Sequence, residues 1–280
     1  MIPPKRFCSA VSALLAVCLV GFPAPSYAQD EKPAVKSSKK VDNPQELARK
    51  ARAVYYNLRT EGLVRYQCTL TFDWNAMLDA LKVHDADSVA RIEKFKKIRF
   101  TFDLGPTGSV QITHTDLEAA TEDEARRFNQ AYAGIDQMVK GFFGTWSEYM
   151  LWNMFDGFGA ASEVMDEGDR YRYSERTADG EVLILFDKDY VIQSTRISSP
   201  QLTGSVQPQF TPTPQGLVLK SYSGDYKGPL VPTGGRLSVA LEYQPVNALQ
   251  LPSLVTATAE SSSQSYAVRL TFSDCKAEKR

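Results

Sequence analysis

Arg170-Tyr171-Arg172-Tyr173 alternates cationic and aromatic side chains, and Asp179-Gly180 then turns the chain into Glu181-Val182-Leu183-Ile184-Leu185-Phe186. Asp187-Lys188-Asp189 turns it again into residues 190–197. Side chains that repeat every two residues alternate between the two faces of a strand. Turns this short join neighbouring strands only in the antiparallel sense, because a parallel return needs a crossover of a dozen residues or more. The pattern persists to the C-terminus, with further strands expected over 217–222, 236–243, 251–259 and 265–272. Residues 199–215 hold Pro, Gln, Thr and Ser in place of a clear alternation and read as a long loop or irregular edge strand.

Upstream, Val64, Tyr66, Cys68, Leu70, Phe72 and Trp74 alternate with Arg65, Gln67, Thr69, Thr71 and Asp73, the signature of a half-buried strand. A hairpin follows, Ile98 to Leu104 returning through Gly105-Pro106-Thr107-Gly108 to Val110 and Ile112. Three helical regions are expected. The first runs from Asn43, with Pro44 at its first position, to Gly62; the second covers 75–97 with a break near His84-Asp85; the third, long and periodic, covers 121–155 behind a Thr121/Glu124 capping box. These elements predict one α+β domain over residues 43–280: an antiparallel curved sheet or half-barrel of about eleven strands covered by about three helices.

Residues 1–28 read as a secretory signal peptide. Lys5 and Arg6 precede an apolar run, and Ser26-Tyr27-Ala28 offers a small-x-small cleavage site after Ala28. Leu15-Ala16-Val17-Cys18 has the outline of a lipid-attachment motif, but Val17 is larger than the residue such motifs place before the Cys, so anchoring at Cys18 is the less favoured reading. The Lys-rich, aromatic-free residues 29–42 read as a flexible tether. Removal of the first 28 residues leaves 30 of the 32 basic side chains against 33 acidic ones, and two of the four Cys, Cys68 and Cys275. In the periplasmic or extracellular setting that export implies, that pair is expected to form one disulfide. Cys275 has the opposite parity to the apolar face of the last strand, and a bulge or strand end near Asp274 would turn it toward Cys68.

The near-balanced charge argues against nucleic-acid binding. The chain has no G-x-S-x-G, H-E-x-x-H or C-x-x-C motif and no Gly-rich phosphate loop. Its two His do not suggest a catalytic or metal site. His84 beside Asp85 and Asp87 reads as a solvated helix junction, and His114 as a partly buried residue at a strand end. The expectation is a protein without catalysis, metal or cofactor. The feature that stands out is the aromatic density of 142–158, where Phe142, Phe143, Trp146, Tyr149, Trp152 and Phe155 exceed what one buried stripe requires. That density fits either a helix enclosed by a curved sheet or a surface lining an apolar cavity. Tyr66, Leu70, Phe72, Phe100, Phe102, Phe142, Trp146, Tyr149 and Phe155 are the expected cavity-lining residues.

Residues 181–276 resemble the outer-membrane lipoprotein carrier superfamily, the LolA-like fold shared with LolB receptors and sigma-factor regulatory sensors. The resemblance is carried by Val182-Leu183-Ile184-Leu185-Phe186-Asp187-Lys188-Asp189, by Val239-Ala240-Leu241-Glu242-Tyr243, and by the link from Gln244 to Leu251-Pro252. It implies an eleven-stranded half-barrel with helices closing the concave side over a site for acyl chains. The functional expectation is an exported envelope protein that binds a lipidic or apolar ligand. The alternative is a periplasmic protein-interaction module of the same fold with a filled interior. Expected partners are an apolar ligand or acyl chain, an envelope protein, and peripherally the membrane surface.

Overall fold

A computed structural model of the chain describes residues 38–81, 85–152, 154–155, 162–229, 231–261 and 265–280. The expected signal peptide, most of the expected tether, and His84 lie outside them. Thirteen strands form one open, wholly antiparallel sheet. They are β1 (Lys39–Lys40), β2 (Leu63–Phe72), β3 (Phe100–Leu104), β4 (Val110–His114), β5 (Ser162–Asp166), β6 (Arg170–Thr177), β7 (Gly180–Asp187), β8 (Ile192–Ser198), β9 (Thr203–Thr213), β10 (Gly216–Gly228), β11 (Val231–Val246), β12 (Leu249–Ser261) and β13 (Ser265–Lys279). Their spatial order is β1-β5-β6-β7-β8-β9-β10-β11-β12-β13-β2-β3-β4. Four helices accompany them: α1 (Pro44–Arg52), α2 (Trp74–Leu81), α3 (Ala86–Phe95) and α4 (Glu122–Met150).

The class is as expected, while the counts are higher. Asp85 breaks the second helical region in two, its side chain accepting from the Ser88 amide at 2.9 Å to cap α3. Two strands were not expected, and a third was read only as a loop or irregular edge strand. Lys39 and Lys40 pair with Asp166 and Met165, so the sheet takes its first strand from within the expected tether. β5 is the second. The third, β9, occupies the stretch read as a loop or irregular edge strand and lies inside the sheet between β8 and β10, its place disguised by Pro208 and Pro212. A proline cannot donate to a ladder. Both prolines pair with β10 but sit beyond Val206, the last residue that β9 pairs with β8, so the missing N–H groups interrupt no shared ladder.

The first helix ends at Arg52 rather than near Gly62. Its start is as read, with Asn43 accepting from the Glu46 amide at 3.0 Å and Pro44 opening the first turn. Residues 54–56 leave the helix to bond with β10: the Leu217 amide donates to the Val54 carbonyl at 2.9 Å, and the Tyr56 amide to the Leu217 carbonyl at 3.1 Å. Gly216 permits this approach. Its φ is +127°, and a Cβ there would lie 2.7 Å from the Tyr56 nitrogen.

The sheet curves around α4. Phe143 stacks on Phe102 of β3 at 4.1 Å between ring centroids, and Tyr149 OH lies 3.4 Å from Thr195 Oγ1 of β8. Seven strand steps separate β8 from β3. At about 4.8 Å per step, a flat sheet would hold them roughly 34 Å apart, several times the width of a helix of about 10–12 Å. Only a curved sheet brings both to one helical segment.

Cys68 and Cys275 form a disulfide between β2 and β13, closing 207 residues of separation. The register between these strands shifts between Ser273 and Lys276, and Asp274 adopts a left-handed φ of 52°. The extra residue resolves the parity conflict in the last strand.

Candidate functional site

The two halves of α4 meet the sheet differently. Over 141–150 every residue except Gly144 and Glu148 is buried, so this half is enclosed on nearly all sides. Phe143 packs edge-on to Phe272 at 5.7 Å as well as face-on to Phe102. Trp146 Nε1 donates to Tyr243 OH at 3.3 Å, and that hydroxyl donates to the Leu219 carbonyl at 2.6 Å. Burial pushes the Tyr149 and Tyr243 phenols well above their ordinary range, so both are neutral hydroxyls at any physiological pH.

The N-terminal half buries one stripe, Phe128, Tyr132, Ile135 and Val139. Beside it an apolar cavity of about 250 Å³ opens between α4 and the concave faces of β11, β12 and β13. Ala131 and Gly134 of α4 and Ala257 and Ala259 of β12 line it with side chains too small to fill it. Trp74 and Met77 of α2 and Phe95 of α3 form another part of the wall. Trp74 stacks between Phe72 and Phe95, at 5.2 and 5.3 Å. Phe95 meets Phe128 edge-on at 5.7 Å, and Lys94 Nζ donates to Glu124 Oε1 at 2.5 Å. These contacts hold α2 and α3 against the start of α4. Asp73 and Gln130 in the cavity wall are exposed, which places them at the mouth, and Tyr266 adds a half-buried phenol to the wall.

The nine residues expected to line a cavity are all buried. Phe72 is in the wall of this cavity; the other eight are not among its lining residues. Tyr66, Leu70, Phe100 and Phe102 belong to the core layer of β2 and β3, and Phe142, Trp146 and Tyr149 to the enclosed half of α4. Phe155 packs on Tyr55 and Phe186 at 5.8 and 5.2 Å. Tyr66 OH donates to the Pro252 carbonyl at 2.7 Å. Aromatic density therefore marks the filled end of the fold. The signal for the cavity was the opposite one, small residues at Ala131, Gly134, Ala257 and Ala259 within apolar stripes.

His114 stacks on Tyr132 at 3.8 Å between ring centroids. Its Nδ1 lies 3.3 Å from the carboxylate of Asp116, which is 88% exposed rather than set in a cleft. Among the described residues no three His, Cys, Asp or Glu side chains converge as metal ligands, and no helix is long and apolar enough to cross a membrane. The chain matches no protein-family model, no curated protein and no solved structure.

Proposed function

We propose that this protein is an exported envelope protein that binds a lipidic or apolar ligand, without catalysis, in the cavity between the N-terminal half of α4 and β11–β13. The observation that carries the reading is the cavity itself, about 250 Å³ with an almost wholly apolar wall. Empty apolar volume costs packing energy, so a fold that keeps it gains when a ligand fills it. Met77 and Met138 in the wall adapt to different ligand shapes. The Cys68–Cys275 disulfide supports an oxidising, extracytoplasmic compartment, as does the signal-like N-terminus. The resemblance of residues 181–276 to lipoprotein carriers supports a half-barrel with an acyl-chain site, because the cavity-lining residues of β11–β13 fall within that stretch.

The test is binding by the exported, disulfide-bonded protein. Native mass spectrometry and organic extraction of protein from its own host are expected to yield one bound lipid, and a fluorescent fatty-acid probe is expected to saturate at one site. Protein that carries no lipid and binds no probe would overturn the reading. One observation favours a second role, docking of another envelope protein: the enclosed half of α4 is the filled interior such a module would have. Co-purification of a stoichiometric partner with ligand-free protein would establish it.

A further inference from the structure

We infer that the cavity takes a single aliphatic chain of about ten carbons, whose ligand leaves its head group in solvent. The inference rests on the apolar-ligand reading above and adds the ligand's size and orientation.

Size gives the depth. An apolar protein cavity of about 150 Å³ accepts benzene, or roughly 25 Å³ per carbon. On that scale the present cavity, about 250 Å³, holds about ten carbons, too few for a multi-chain lipid to be buried whole. Wall composition gives the orientation. Among the described residues no Lys, Arg or His lines the cavity. A carboxylate or phosphate carried inside would be desolvated without a counter-charge, at a cost exceeding what the chain gains. The wall's polar side chains are the exposed Asp73 and Gln130, the half-buried Tyr266 and the buried Trp74, none of them a cation. The Asp73 carboxylate already accepts from the Ala76 amide at 3.0 Å, at the start of α2. The chain therefore enters methyl end first and its head stays at the mouth. Ala257 on the sheet and Gly134 on the helix set the space left for it, which makes them the length-determining positions.

The test is displacement of a bound fluorescent fatty-acid probe from the exported protein by n-alkanols from hexanol to tetradecanol. Affinity is expected to rise about fourfold per added methylene up to roughly decanol, then level off. Ala257→Leu adds three side-chain carbons to the cavity and is expected to move the levelling point about three carbons shorter. Gly134→Val adds the same number from the helix side, so a folding failure in one variant leaves the other as the test; cooperative unfolding verifies each fold. The single-chain reading is overturned if affinity climbs unbroken to tetradecanol, if the levelling point stays put in a folded variant, or if the probe binds but no alkanol displaces it. A protein that binds neither probe nor alkanol overturns the apolar-ligand reading itself.

Discussion

Asp274 holds a left-handed backbone, φ 52°, that lets β13 carry one extra residue and present Cys275 to Cys68. Aspartate tolerates this conformation better than most residues, and glycine adopts it freely. Asp274→Gly is therefore expected to keep or slightly raise the urea midpoint, whereas Asp274→Val should lose about 1–2 kcal/mol. A second residue-scale prediction concerns Asp103. Arg65 Nε donates to Asp103 Oδ1 at 3.0 Å, the guanidinium's second arm reaches Oδ2, and Gln67 Nε2 donates to Oδ2 at 3.0 Å. The hydrogen bond from Arg65 is the main cause holding the Asp103 carboxyl below its usual range, with a further contribution from Gln67. A carboxyl lowered on folding stabilises the protein above its unfolded value, near pH 4. That contribution is lost as pH falls through the folded value. Because the Arg65 side chain is 41% exposed, the pair contributes at most about 1 kcal/mol. Asp103→Asn should therefore lower stability at pH 7, and the gap to wild type should narrow as pH falls below 4, read from urea midpoints along the acid limb.

At the scale of the element, α4 combines a packed half and a half beside a cavity within one helix. Phe143 touches rings on β3 and β13 and is fully buried, so Phe143→Ala should cost about 3–5 kcal/mol in urea unfolding. Met138 lines the cavity and is only half-buried. Met138→Ala enlarges a space that already exists, and its cost should stay near or below the low end of the core range, about 2 kcal/mol. Equal costs at the two positions would show that the helix is packed alike along its length. Helix and strand identities were legible here because the residues that specify them are local. Asn43, Asp85 and Thr121 cap the helices that follow them, and alternation marks β2 and β6–β8. The end of α1 was not legible, because the bonds that end it come from Leu217. β9 was not legible for a similar reason: its prolines are tolerated only where β8 has stopped pairing with it.

For the whole molecule, the disulfide joins β2 to β13, the strands that link the early hairpin to the late meander. In the chain-entropy account a closed loop of this length restricts the unfolded state by up to about 5 kcal/mol. The double variant Cys68→Ser/Cys275→Ser should lose about 2–5 kcal/mol and show a lower Tm that no longer responds to reductant, whereas wild type should fall toward it when reduced. If reduction left the wild-type Tm unchanged, the contacts between β2 and β13 would be holding the sheet without the bridge.

The sequence by itself pointed to the α+β class, the antiparallel sense of the strands and the cysteine pair, and located the irregularity that lets the pair close. Each follows from short-range chemistry: two-residue alternation, turn residues too close together for a crossover, and a parity conflict at Cys275 that requires a break in the regular strand. Tertiary structure decided which apolar surface is filled and which is left open. Tyr66, Phe72, Phe102 and Trp146 all read as inward-facing residues, and a pattern of apolar positions reports only that each faces inward. Whether a facing side chain fills the space depends on its partner across the fold. Phe143 meets Phe102, whereas Ala131 and Gly134 share a cavity with Ala257 and Ala259, more than a hundred residues away.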